Sequence, residues 1–202
     1  MSDFEARIEA ERQRSAGPAS GVGPTAAARR PADWAAVAER VEALLAATAA
    51  EFDRRGLAAL PVLGYPPPGI RSRLTGRRPI VVAHRRPVRD LFSLDHAGRP
   101  FLERDPFPAR QIWLRTSHPG RARTLEAAVL RAGLTPDTLI LDEGPPIPLD
   151  PEEAAREGRL GGHFAVAADG TLLVYPTAAH APPIPLVEAL TAAVTGGGTT
   201  HR

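Results

Sequence analysis

The sequence predicts an α+β fold, a mostly antiparallel sheet of five to six strands packed against one long N-terminal helix and two shorter helices. Three observations carry this. Apolar residues recur at helical spacing through residues 32–55, and short apolar runs bounded by Gly, Pro and Asp follow one another from residue 80 onward. No repeat of solenoid or propeller length interrupts them. At 202 residues and 43% hydrophobic composition the chain suits one domain with one Ala-rich core. The expected division is a mobile helix and linker over 1–31, a single α+β domain over 32–195, and a flexible tail over 196–202.

Ser2 to Arg14 reads as a short helix, because Ser2 and Glu5 have capping-box spacing and Phe4 and Ile8 share a face. Two apolar residues are few, and Ser15 to Pro31 is Gly-, Pro-, Ser- and Ala-rich without periodicity, so a tethered helix outside the core is expected. Ala32 to Arg55 is the strongest helix, with Trp34, Val37, Ala38, Val41, Leu44, Leu45, Ala49 and Phe52 on one face and Gly56 as its stop. Pro61 and Pro66-Pro67-Pro68 remove amide donors, so Leu60 to Gly69 is read as a rigid surface loop bearing Tyr65.

Strands follow at Ile80 to His84, Leu91 to Asp95 and Phe101 to Glu103, the last two forming a hairpin around His96-Ala97-Gly98-Arg99, and at Gln111 to Thr116. Gly120 to Ala132 reads as a helix with Leu125, Val129 and Leu130 inward, and Thr138 to Leu141 as a short buried strand. Asp150 to Glu157 has a capping Asp, Pro at the first helical position and acids in the first turn, with Gly158 closing it. His163 to Ala168 and Thr171 to Tyr175 flank Asp169-Gly170, the composition of a two-residue hairpin turn, and Leu186 to Val194 is a closing amphipathic helix.

The chain contains no Lys and no Cys, and all 25 of its basic residues are Arg. Schiff-base chemistry, the P-loop lysine, Ser/Lys acylation pairs and thiol nucleophiles are thereby excluded. Thr138 to Glu143 has the form of a Walker B strand, but without a lysine-bearing phosphate loop Asp142 and Glu143 read as solvated strand-end acids. His84, His96, His118, His163, His180 and His201 lack metal-ligand spacing and no thiolate is present, so neither a metal nor another cofactor is expected. No G-x-S-x-G elbow occurs. An acidic N-terminus without a following apolar run, and no long apolar stretch, predict a cytoplasmic protein with no membrane partner.

Charge is segregated along the chain. Residues 1–53 hold 6 Arg and 9 acids, residues 54–131 hold 16 Arg and 5 acids, and residues 132–202 hold 3 Arg and 9 acids. A preference for Arg over Lys does not account for this concentration in the middle. Arg71, Arg73, Arg77, Arg78, Arg85, Arg86 and Arg89 form the densest basic run, on loops around the strand Ile80 to His84. Arg115, Ser117, His118, Arg121 and Arg123 surround an expected helix start, where free amides and guanidinium groups suit a phosphate or carboxylate. Capping by Ser117 is the plainer account of that start.

A non-catalytic interaction or regulatory protein is therefore expected, presenting the Arg surface to an acidic partner. A protein partner is favoured over nucleic acid because residues 66–90 contain no aromatic side chain for base stacking. The alternative is a small enzyme or sensor for a phosphorylated or carboxylated ligand at Ser117 to Arg123, with His118 or His163 as acid/base.

Overall fold

The computed structural model describes residues 1–15, 33–64, 80–89, 91–102, 130, 140–141, 145–176 and 181–196. Residues 16–31 of the expected linker, residues 197–202 of the expected tail, the loop at Tyr65, the strand Gln111 to Thr116, the acids Asp142 and Glu143, and the helix Gly120 to Ala132 except Leu130 lie outside the described residues.

Helix α1 spans Asp3–Ser15 and opens with the capping box, Ser2 Oγ accepting from the Glu5 amide at 3.2 Å and Glu5 Oε2 from the Ser2 amide at 2.8 Å. Helix α2, Trp34–Arg54, is capped by Asp33, whose carboxylate accepts from the Ala36 amide. It ends in a Schellman motif: the Leu57 amide reaches the Phe52 carbonyl, the Gly56 amide reaches the Asp53 carbonyl, and Gly56 adopts φ +63. Helix α3, Pro151–Glu157, starts at the Asp150 carboxylate and stops at Gly158 (φ 75), and helix α4 is Leu186–Thr195.

The α+β class is as expected, but the strands divide between two sheets instead of forming one. In the first, strands β1 (Leu60–Gly64), β2 (Ile80–Val88), β3 (Phe92–Leu94), β4 (Pro100–Phe101) and β5 (Ile140–Leu141) lie in the order β4-β3-β2-β1-β5, with β1 and β5 parallel and the other pairs antiparallel. In the second, β6 (Phe164–Val166), β7 (Leu172–Val174) and β8 (Ile184–Pro185) are antiparallel in sequence order. Phe92 of β3 meets Phe164 of β6 edge to face, centroids 5.5 Å apart, which joins the two sheets.

Residues 60–64 form a strand where the prolines predicted a loop, and the register shows why the prolines are tolerated. Pro61 stands one residue before pairing with β5 begins at Val62, so no donor is required on that side. Strand β2 changes partner along its length, pairing with β1 through Arg85 and with β3 from Arg86, so Pro87 is paired on one side only. The same change of partner extends β2 to Val88, beyond the expected end at His84.

Both connecting turns have one form. In Asp95–Arg99 the Gly98 amide bonds the Asp95 carbonyl and the Asp95 amide bonds the Arg99 carbonyl; in Ala167–Thr171 the Gly170 amide bonds the Ala167 carbonyl and the Ala167 amide bonds the Thr171 carbonyl. Gly98 and Gly170 sit at φ +80 and +89, so the second is a three-residue loop with a glycine bulge rather than the expected two-residue turn.

One continuous core links α1, α2, α3, α4 and both sheets, with Val41, Leu45, Leu94, Leu160, Phe164, Leu186 and Leu190 completely buried. Helix α1 belongs to it: Phe4 and Ile8 are 5% and 4% exposed and pack toward α2 and α4, where the sequence reading places this helix outside. Two N-terminal helices therefore pack in the core, where the sequence reading gives that place to the long helix alone. Leu130, expected to face inward, is 60% exposed.

Candidate functional site

The basic run of residues 71–89 enters the described structure along β2, and its three described arginines have three different environments. Arg85 is 6% exposed, its guanidinium carbon 3.6 Å from the centroid of the Phe101 ring. Arg86 extends toward α2: Nε donates to the Leu57 carbonyl at 2.9 Å, Nη2 donates to Asp53 Oδ1 at 2.6 Å, and the guanidinium covers the Phe52 ring at 6.0 Å. Arg85 is thus packed within its own sheet, and Arg86 ties that sheet to α2.

Arg89 is different. It is exposed, and it is the one non-glycine residue among the described residues with a left-handed backbone, φ 53. That conformation costs roughly 1–2 kcal/mol for a side chain with a Cβ. Arg71, Arg73, Arg77, Arg78, Arg115, Ser117, His118, Arg121 and Arg123 lie outside the described residues.

The other described arginines of the middle segment are paired with nearby acids. Arg54 and Arg55 converge on Glu51, which is 2% exposed, at 2.5 and 2.6 Å. The Arg54 hydrogen bond, reinforced by Arg55 and opposed by burial, lowers the Glu51 pKa to about 2. Arg99 Nε donates to Asp95 Oδ2 at 2.7 Å, while Asp95 Oδ1 accepts from the Ala97 and Arg99 amides. Burial pushes the Asp95 carboxyl up, but these donors outweigh it and the net direction is down.

The described acids of the last third take no part in this pairing. Among the described residues, Asp150 caps α3, Asp169 Oδ1 accepts from the Thr171 amide, and Glu152, Glu153, Glu157 and Glu188 form no ion pair.

His163 is half-buried on the turn before β6, where Gly161 and Gly162 both have positive φ. Burial lowers its pKa; hydrogen bonding to the Tyr175 backbone works the other way, and nearby Arg159, stacked 3.6 Å from the Tyr175 ring centroid, lowers it further. His84 and His96 are exposed, and His118, His180 and His201 lie outside the described residues. Among the described residues no group of three or more His, Asp or Glu is placed to hold a metal ion, and no helix is long and apolar enough to cross a membrane.

One ionic junction was not anticipated. Glu11 of α1 is 2% exposed and accepts from Arg40 of α2 and, at 3.1 Å, from Arg14; Arg40 also donates to the Gly170 carbonyl at 2.9 Å. Three elements meet there. Glu11 follows Phe4 and Ile8 at the i, i+4, i+7 spacing of a single helix face, and that spacing is a signal for its burial. Nothing in the sequence identifies Arg40 or the Gly170 carbonyl as its partners. No family model matches this chain, and neither a curated protein nor a solved structure matches it significantly.

Proposed function

We propose that this chain is a non-catalytic interaction protein whose guanidinium-rich middle binds an acidic protein partner. The observation that carries the reading is that the described acids of the last third do not neutralise the middle segment. Of the nine acids in residues 132–202, the six in the described residues pair with no arginine of residues 54–131. Arg54, Arg55, Arg86 and Arg99 use Glu51, Asp53 and Asp95 instead. Arg71, Arg73, Arg77 and Arg78 precede β2 in sequence, and Arg89 extends into solvent beyond its end. Guanidinium groups suit carboxylate recognition because their paired N–H donors match both oxygens and never deprotonate.

The test substitutes arginines with no described structural role. The purified chain is exposed to a lysate at low salt, the proteins released at high salt are identified, and one acidic partner is then purified for titration. Arg77→Ala with Arg78→Ala is expected to weaken binding at least tenfold, and raising salt from 50 to 300 mM is expected to weaken it steeply. Unchanged affinity in both tests would refute the reading. Release of nucleic acid in place of protein would transfer the same surface to a phosphate backbone.

A further inference from the structure

The sequence Pro-Pro-Ile-Pro-Leu occurs at 145–149 and again at 182–186, and folding gives the two copies different places. In the second copy Ile184 and Pro185 pair with Val174 and Leu173 as β8, and Leu186 begins α4. The first copy belongs to no helix or strand. Its conformation follows from its composition. A proline ring holds φ near about −65°, and a residue that precedes proline, as Pro145 and Ile147 do, is confined to extended backbone. The segment is thereby directed into a polyproline II helix, which has about three residues per turn.

Burial repeats at that period. Pro145 and Pro148 are exposed, Pro146 and Leu149 are half-buried, and Ile147 is 7% exposed. The exposed prolines therefore share one edge, while Ile147 faces the core. Two anchors hold the segment. The Ile147 amide donates to the Pro100 carbonyl at 2.7 Å and its side chain lies against Gly161, and the Asp150 carboxylate accepts from the Glu152 amide at 2.8 Å. A proline ridge already held in this form loses little conformational freedom when a partner closes on it. Beside it, Glu152 and Glu153 form no ion pair among the described residues, and Glu152 is exposed.

We infer that the ridge of Pro145 and Pro148 is the docking element for a polyproline-reading domain of a partner protein. The groove that fits it is lined by aromatic side chains, between which the two prolines insert, and carries Arg or Lys at the side that meets Glu152 and Glu153. The second copy of the sequence does not offer this surface, because Pro185 is half-buried and paired in β8. The ridge lies in the acidic last third and uses none of the arginines of residues 54–131, so this proposal and the one above fail separately.

The probes are purified proline-reading domains, WW domains among them, that carry Arg or Lys beside the aromatic groove, each titrated into the full chain labelled for NMR. At least one is expected to bind saturably and to shift the amide signals of Ile147, Leu149, Glu152 and Glu153. Pro145→Ala with Pro148→Ala should weaken that binding at least tenfold, whereas Pro182→Ala, at the exposed start of the second copy, should change it less than twofold. Glu152→Gln with Glu153→Gln should weaken it at least threefold and reduce its salt dependence. A synthetic PxxP peptide that fills the domain's groove should displace the wild-type chain, an arm that decides the matter if the double proline variant does not fold. No binding by any domain, binding that the peptide does not displace, or indifference to the proline pair would overturn the proposal.

Discussion

Gly98 is the position where local conformation and tertiary packing can be separated by measurement. It occupies the left-handed region at φ +80, and a Cβ added there would lie 2.6 Å from Ala46 Cα, 2.7 Å from Ala46 N and 2.9 Å from the Leu45 carbonyl carbon. Gly170, in the matching turn of the second sheet at φ +89, has nothing within 4 Å of the same point. Replacing either glycine by Ala costs about 1–2 kcal/mol of backbone strain, offset by about 0.4–1 kcal/mol from the stiffer unfolded chain. Gly170→Ala should therefore destabilise by about 0.5–1.5 kcal/mol.

Gly98→Ala carries in addition the overpacking of a turn pressed on a helix backbone, about 1–3 kcal/mol, for a total of about 2–4 kcal/mol. Equilibrium urea unfolding of both variants, with equal slopes, measures the difference directly. The atoms that obstruct the new methyl are backbone atoms of α2, so Ala46→Gly should fail to rescue Gly98→Ala. Two variants within about 0.5 kcal/mol of each other, or rescue by Ala46→Gly, would refute the docking of this turn on α2.

Three further outcomes follow from the ion pairs and the half-buried histidine. Glu51 has a folded pKa near 2 against an ordinary 4.5, so its stabilisation is complete above pH 4.5 and is lost as pH falls toward 2. Because Arg54 is 58% exposed and solvent screens the pair, this amounts to about 1–3 kcal/mol, and Glu51→Gln should flatten the acid limb of stability measured between pH 5 and 2. His163, whose folded pKa lies below its ordinary value, stabilises above pH 6.5 and loses that contribution as pH falls; His163→Gln should reduce the slope of stability between pH 7 and 5, and an NMR titration placing His163 above 6.5 would contradict its burial. Arg86→Ala removes the Asp53 ion pair, the Leu57 carbonyl bond and the cover over Phe52, and is expected to cost about 1–3 kcal/mol in thermal or urea unfolding.

What could be read from the chain alone was local. The Ser2/Glu5 box, the Asp150 cap with Pro151, the Gly56 and Gly158 stops and the face of α2 each depend on residues within one or two turns, so their positions follow from spacing. The same holds for the charge segregation, which is a property of composition. Glu11 was legible only in part: its spacing from Phe4 and Ile8 places it on the buried face, but Arg40 is 29 residues away and Gly170 is 130 from Arg40.

Tertiary structure alone decided the rest. Strand β1 exists because β2 and β5 supply its ladders, and Pro61 and Pro87 are accommodated because β2 changes partner between Arg85 and Arg86. The same geometry commits Arg86 to Asp53 and buries Arg85 over Phe101, although in sequence both belong to the same basic run as Arg89. Caps and periodicities are set by neighbours along the chain, whereas strand pairing and the burial of a charge are set by groups that folding brings from far away.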